Sequence, residues 1–116
     1  MNQTRFTADA ISFVSGRDSS IVSPDVMFSA AQFPICEIMM RADRKTVGEL
    51  FFAAPTEVFS QQNSLPFQVE PSTEFQVYRI DCRSNPLWTG TVARLRFDPA
   101  ASNGIRIQVK SIRLLP

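Results

Sequence analysis

Residues 91–115, TVARLRFDPAASNGIRIQVKSIRLL, decide the fold class of this chain. In each half, large apolar side chains alternate with charged or polar ones, which is the period of a β-strand that buries one face. Leu95 and Phe97 alternate with two arginines, and Ile107 and Val109 alternate with polar residues in the same way. The break between the halves contains a proline and an Asn-Gly pair, which favours a tight turn. The stretch therefore predicts two strands joined by a hairpin.

The final segment of the chain changes parity near its middle. Ile107 and Val109 would point to one face of a regular strand, whereas Ile112 and Leu114 would point to the other. An extra residue in one strand of an antiparallel pair restores the face of the side chains that follow it. We therefore predict a β-bulge near residues 110–111 that returns the later pair to the core.

The same pattern recurs along the rest of the chain. Short segments rich in β-branched and aromatic residues are separated by Pro, Gly, Asn, Asp and Ser, and none has a clean helical period. The predicted strands span residues 10–14, 20–22, 26–29, 35–42, 48–54, 67–69, 75–82, 91–97 and 105–114. Turns are expected at residues 15–18, at 24–25, at 43–45 as a charged hairpin tip, and at 98–104. We predict an all-β fold: a two-sheet antiparallel β-sandwich, a jelly roll, with about nine short strands.

Alternation also sorts the side chains of these strands into an interior and an exterior. The predicted interior includes Cys36, Ile38, Met40, Leu50, Phe52, Tyr78, Ile80, Cys82, Ala93, Leu95 and Phe97. The predicted exterior carries Glu37, Met39, Arg41, Glu49, Phe51, Arg79, Asp81, Arg94, Arg96, Arg106 and Gln108. If these strands are neighbours, one sheet surface presents guanidinium groups, carboxylates and an exposed aromatic ring.

Length and charge bound the partners of the chain. With 116 residues, we expect a single domain over residues 1–116, either excised from or attached to a larger protein. The formal net charge is +1 and acids are interleaved with bases, so we expect no nucleic-acid partner. The N-terminal MNQTRFTADA does not have the pattern of a signal peptide, and no apolar run approaches membrane length. We expect no membrane partner, and we favour a cytoplasmic location.

The residue types argue against catalysis. The chain has no histidine, which is the commonest general base, metal ligand and partner of a nucleophile. Glu37, Glu49 and Asp81 sit among arginines, which favour the ionised form and oppose the raised pKa of a general acid. We therefore predict no catalytic residue, no metal site and no cofactor.

Four further residues have two interpretations each. Cys36 and Cys82 are spaced neither as a redox pair nor as zinc ligands, so they are buried thiols or, in an exported chain, one disulfide. Asp98 and Asp18 either close turns or join oxygen ligands around a structural calcium ion.

Trp88, the one tryptophan of the chain, also has two interpretations. It either stacks on a sugar ring or caps one open end of the sandwich, and its place beside the start of a strand favours the cap.

Several stretches resemble a bacterial β-jelly-roll family of carbohydrate-binding-module or galactose-binding-like architecture, which accompanies glycosyltransferases and other sugar-active proteins. The stretches are GRDSSIVSPDVMF, GELFF, FQVYRIDC, LWTGTVARLRFDP and GIRIQVKSIRLL. They include Tyr78 and Asp81 on a strand, the Trp88-x-Gly90 turn, and Arg96-x-Asp98 at a strand end. The last strand has Gln108 and Lys110 where the family often has an acidic residue, so we expect no acid-dependent site there.

The resemblance implies a non-catalytic accessory module, with a saccharide ligand and a neighbouring catalytic domain as its partners. Guanidinium and carboxylate groups suit sugar hydroxyls, and an aromatic ring gives apolar contact. We predict a ligand-binding site on one sheet face formed by Arg41, Glu49, Phe51, Arg79, Asp81, Arg94 and Arg96. Two alternatives are a solvated ladder of cross-strand ion pairs and a surface for docking or dimerisation.

Overall fold

The structure, a computed structural model, describes residues 5–14, 20–23, 25–102 and 104–116, the first range by its backbone alone. Ten β-strands lie in these residues. They are β1 (Arg5–Val14), β2 (Ile21–Val22), β3 (Phe28–Ser29), β4 (Ile35–Ala42), β5 (Thr46–Ala53), β6 (Ser64–Val69), β7 (Gln76–Asp81), β8 (Thr91–Val92), β9 (Arg94–Asp98) and β10 (Arg106–Leu115). Two short 3₁₀ helices, Ala30–Gln32 and Cys82–Ser84, are the only helical segments among the described residues.

The strands form two antiparallel four-stranded sheets and a small ribbon. Sheet one has the order β1-β10-β4-β7, and sheet two has the order β2-β9-β5-β6. The ribbon pairs β3 with β8. In the chain, β3 follows β2 and β8 precedes β9. This confirms the predicted all-β sandwich.

The connections give the sandwich its jelly-roll topology. Among the eight strands of the two large sheets, only β5 and β6 are joined within one sheet, and every other connection passes to the opposite sheet. Two interleaved Greek keys of this kind define a jelly roll. Apart from β5 and β6, strands of the two large sheets that follow each other along the chain therefore lie in opposite sheets.

Two predicted hairpins are wrong for this reason. The turn at residues 43–45 joins β4 of sheet one to β5 of sheet two, and the segment after Asp98 joins β9 of sheet two to β10 of sheet one. Gly104 has φ of +84°, as the predicted turn requires, while Asn103, Pro24 and the predicted turn at 15–18 lie outside the described residues. A tight turn between two sheets has the same local sequence signals as a hairpin turn.

The predicted bulge is confirmed. The pairing of β10 with β4 shifts between Val109 and Ser111, so Lys110 is the extra residue. Ile112 and Leu114 return to the core, where at most 3% of either side chain is exposed. The parity change in the sequence thus has its physical cause in a single inserted residue.

The core lies between the inner faces of the two sheets. The buried residues of sheet one include Cys36, Ile38, Met40, Ile80, Ile107, Val109, Ile112 and Leu114, and sheet two contributes Leu50, Phe52, Leu65, Val69, Leu95 and Phe97. Nearly all of these are the residues that alternation assigned to the interior. Tyr78 is half-buried and packs with Phe67, and its hydroxyl accepts a hydrogen bond from the backbone N–H of Glu70.

Trp88 closes one end of this core. Its indole is 5% exposed and packs edge-on against Phe52 and at a tilt against Phe28. The indole N–H lies 3.1 Å from the carbonyl oxygen of Ala30 and 3.2 Å from that of Phe33, and it donates to both. A residue held in this way is a plug and has no free ring face for a sugar.

Cys36 and Cys82 are free thiols buried in the core. Burial raises the pKa of Cys36 well above its ordinary value, and it raises the pKa of Cys82 from 9.0 to about 12. Of the two alternatives from the sequence, the structure has the buried thiols. Both side chains are therefore protonated at neutral pH.

Candidate functional site

The structure divides the seven predicted site residues between the two sheets. Glu49 and Phe51 lie on β5, and Arg94 and Arg96 lie on β9, so these four share the outer face of sheet two. The remaining three, Arg41, Arg79 and Asp81, lie on β4 and β7 of sheet one. The expectation of a single surface is wrong, because the turn at residues 43–45 crosses from one sheet to the other.

The centre of the sheet-two group is a guanidinium on an aromatic ring. Phe51 and Arg96 are cross-strand partners, and the Arg96 guanidinium carbon lies 4.3 Å from the ring centroid. The same guanidinium donates to both carboxylate oxygens of Asp98, at 3.1 Å and 3.3 Å. These contacts fix the planar group of Arg96 over the sheet.

Phe51 is not the exposed aromatic that alternation predicts. Only 4% of it is accessible, because the guanidinium of Arg96 covers it. Its contribution to a site is therefore to support Arg96 from below.

The loop between β5 and β6 supplies a partly exposed ring that the sequence did not reveal. Phe59, half-buried, lies 5.5 Å from the guanidinium carbon of Arg94 and 5.4 Å from that of Arg96. Arg94 also donates to the backbone carbonyl of Glu57 in this loop. Phe59 has no periodic pattern around it, so a strand-based analysis has no signal for it.

Acceptors lie at one end of the same group. Glu49 is the cross-strand partner of Asp98, and the side-chain amide of Gln61 donates to the carboxylate of Glu49. Partial burial raises the pKa of Asp98, as does the charge of Glu49, while Arg96 acts in the opposite direction. We call the residues Glu49, Phe51, Phe59, Gln61, Arg94, Arg96 and Asp98 the sheet-two cluster.

The other three predicted residues lie among different partners on sheet one. Arg41 donates to the side chain of Gln108 and to the backbone carbonyl of Thr73, the latter at 2.5 Å. Arg79 lies 3.5 Å from the carboxylate of Glu37. Asp81 accepts hydrogen bonds from the backbone and the side chain of Arg83, and these bonds lower its pKa.

No group of three or more potential metal-binding side chains occurs in the described part of the chain. Asp98, one of the two acids considered for calcium, bonds to Arg96, and Asp18 lies outside the described residues. Within the described ranges, no helix has the length and apolar character needed to span a membrane.

Comparison with known proteins gives one consistent result, which comes from structure. No protein-family model and no curated protein sequence matches the chain. A solved structure described as carbohydrate-binding module family 29 matches with a TM-score of 0.53 and 16% identity, over 97% of this chain and 85% of the other. A variant of a family 29 module in complex with mannohexaose matches with a TM-score of 0.50 and 15% identity, over 97% of this chain and 79% of the other.

A further variant from that family, made to probe ligand recognition, matches with a TM-score of 0.54 and 16% identity, over 97% of this chain and 83% of the other. At this level of identity the likeness concerns the fold. The chain therefore has a β-sandwich fold like that of the family 29 carbohydrate-binding modules.

Proposed function

We propose that this domain is a non-catalytic module that binds saccharide weakly through the sheet-two cluster. The observation that carries the proposal is the guanidinium of Arg96, which lies over the ring of Phe51 and donates to both carboxylate oxygens of Asp98. A donor group that is already ordered loses little side-chain entropy when it binds a hydroxyl.

The surrounding groups complement a sugar. Hydroxyls accept from guanidinium groups and donate to carboxylates, so Arg94, Arg96, Glu49 and Asp98 supply both kinds of partner. The ring of Phe59 offers apolar contact to the C–H groups of a pyranose at the edge of the same group. The predicted residues Arg41, Arg79 and Asp81 are too far around the sandwich to join this site, since they belong to the opposite sheet.

The solved structures supply a second line of support. Family 29 modules carrying single substitutions are described as complexes with cellulohexaose and mannohexaose. The substituted residues in the series on ligand recognition include an arginine and an aspartate two positions apart. Arg96 and Asp98 have the same spacing here and form a bidentate pair.

We place the module beside a catalytic domain in a bacterial sugar-processing protein such as a glycosyltransferase. A shallow sheet face makes few contacts with one sugar chain, so its binding is weak by itself and gains from tethering to an enzyme. The carboxylates of the cluster are bonded to Arg96 and Gln61, an arrangement that suits binding more than proton transfer.

Calorimetric titration with cellohexaose and mannohexaose tests the proposal. Arg96→Gln removes a charged donor, so we expect about a tenfold or larger loss of affinity, the equivalent of roughly 1.5–3 kcal/mol. Phe59→Ala should weaken binding as well. Arg83→Gln is the matched control. Arg83 is exposed and its side chain bonds only to Asp81 on the other sheet, so this variant should bind as the unchanged chain does.

The absence of binding to any hexasaccharide, or equal affinity in the Arg96→Gln and Arg83→Gln variants, would contradict the proposal. Circular dichroism of each variant establishes that the fold is kept.

A second candidate function is docking through the same face, with another domain or a second copy as partner. Val22, the cross-strand neighbour of Arg96, is 54% exposed, and Val58 in the β5–β6 loop is 80% exposed. Light scattering at rising concentration distinguishes the two functions. Self-association that is abolished by Val58→Asp supports docking, whereas a monomer at all concentrations argues against a second copy.

A further inference from the structure

We propose that the outer face of sheet one is a second binding surface, which takes an anionic polysaccharide through its carboxylate or sulfate groups. This inference is independent of the saccharide site on sheet two. It starts from the register of β10, β4 and β7, which brings five basic side chains to one face: Arg41, Arg79, Arg106, Lys110 and Arg113. We call this set the cationic face.

The positive charge of the cationic face is not balanced by its acids. Glu37 lies between Arg113 and Arg79 in the cross-strand row, at 2.8 Å from the first and 3.5 Å from the second. One carboxylate thus serves two guanidinium groups. The carboxylate of Asp81, at the end of β7, already forms a salt bridge with Arg83.

Two of the remaining basic groups, Arg41 and Lys110, are held without a carboxylate, whereas the carboxylate of Asp43 lies beside Arg106 and accepts from its backbone N–H. The guanidinium carbon of Arg41 lies 4.8 Å from the ring centroid of Phe75, and the ammonium of Lys110 lies 5.5 Å from the same centroid. Among the described residues, neither forms a salt bridge. The bulge at Lys110 is what brings its ammonium over this ring.

The opposite face of the sandwich has no such excess. The outer face of β5 and β9 in sheet two carries Arg94 and Arg96 together with Glu49 and Asp98, which is an equal number of each sign. A chain with a formal net charge of only +1 therefore concentrates its positive charge on one side. A concentrated field of one sign attracts polyanions and raises their rate of association.

The apolar groups of the cationic face favour a sugar polymer over a nucleic acid or a membrane. Phe75 is half-buried and is a single ring among the described cations of this face, whereas a single-stranded nucleic acid stacks successive bases on several aromatic side chains. Met39 and Val77 form a short apolar row between the charged rows, without the large aromatic or aliphatic groups that anchor a protein in lipid. A pyranose chain with acidic substituents matches a narrow apolar row that has cations on both sides.

Dextran sulfate and unsubstituted dextran are a matched pair of probes, since they share one backbone and differ in charge. We expect the full chain to bind dextran sulfate at low salt, with an affinity that falls steeply as salt rises, and to leave dextran unbound. A hexamer of galacturonic acid tests carboxylates in place of sulfates and should bind more weakly and with the same salt dependence.

The variant Arg79→Gln/Lys110→Gln removes two exposed cations from the cationic face without emptying a buried position. We expect about a tenfold or larger loss of dextran sulfate affinity and a shallower salt dependence. Arg96→Gln on sheet two is the control and should keep the affinity for dextran sulfate. The two proposals can then be rejected independently of each other, because binding of the neutral hexasaccharides tests the sheet-two cluster alone.

Three results would overturn the inference. They are equal affinity for dextran and dextran sulfate, an unchanged affinity in the Arg79→Gln/Lys110→Gln variant, and binding of single-stranded DNA or of vesicles with anionic headgroups as tightly as dextran sulfate. The last result would assign the face to a different class of macromolecule.

Discussion

The indole of Trp88 has two roles, and a smaller apolar residue could perform only one of them. Its rings fill the end of the core beside Phe28 and Phe52, and its N–H satisfies the backbone carbonyls of Ala30 and Phe33. Those carbonyls belong to the short segment between β3 and β4, so the side chain also fixes that segment to the sandwich. The polar turn around Trp88 in the sequence therefore lies at the surface, above an indole that is itself buried.

Substitution of Trp88 separates the two roles. We expect Trp88→Phe to reduce the free energy of unfolding by about 1–3 kcal/mol, because the carbonyl of Phe33 loses its indole donor and that of Ala30 keeps only the backbone N–H of Phe33. Trp88→Ala should cost about 3–5 kcal/mol, since it also leaves a cavity. Urea unfolding followed by circular dichroism measures both values. Equal stability of the Trp88→Phe variant and the unchanged chain would show that the hydrogen bonds contribute nothing.

Cys36 and Cys82 give a second prediction at this scale. Because burial raises both pKa values, each thiol should react slowly with a disulfide reagent at pH 8 in the folded chain and quickly in urea. A thiol with a raised folded pKa adds stability that is fully present below the unfolded value of 9.0 and is lost as pH rises towards about 12. Rapid reaction of either thiol in the folded chain would contradict this account of the core.

At the scale of the element, β10 shows how an irregularity keeps a strand in place. Lys110 lets Val109 and Ile112 point into the same core although three positions separate them in sequence. This feature was predictable, because the parity of apolar residues is a local property of the sequence. The covering of Phe51 by Arg96 was not predictable, since it depends on the length and direction of a side chain from the neighbouring strand.

Deletion of single residues in β10 tests this account. Without Lys110, Val109, Ser111 and Ile112 follow each other with regular alternation, so we expect a folded chain that loses at most about 2 kcal/mol. Without Gln108, Ile107 and Val109 become adjacent, so regular alternation sends to opposite faces two side chains that both belong to the core, and we expect the chain not to fold. Thermal unfolding of the two variants gives the comparison. Equal stability of both deletions would mean that the register of β10 is not fixed by its apolar face.

At the scale of the whole molecule, the jelly roll places most strands that follow each other along the chain in opposite sheets. The strand segments and most buried residues followed from local alternation, but the distribution of strands between the sheets depends on long-range pairing. Asp43 to Lys45 reads as a hairpin tip in the sequence, yet it connects two sheets. A surface predicted as one site is consequently two surfaces, one with balanced charges and one with excess positive charge.

Phe59 marks the other limit of prediction at this scale. It belongs to the connection between β5 and β6, and it reaches Arg94 and Arg96 only because these strands are neighbours in sheet two. A loop without periodicity carries no signal for such a contact. The resemblance of several stretches to carbohydrate-binding modules predicted the fold correctly, and the placement of a ligand needed the three-dimensional arrangement.

Mapping of amide chemical shifts during titration of the isotope-labelled chain with cellohexaose and mannohexaose tests the central claim most directly. The account predicts shifts that saturate with ligand at the outward residues of β5 and β9 and in the loop that carries Phe59, with β4 and β7 unchanged. Shifts confined to sheet one, or no shifts at millimolar hexasaccharide, would contradict it.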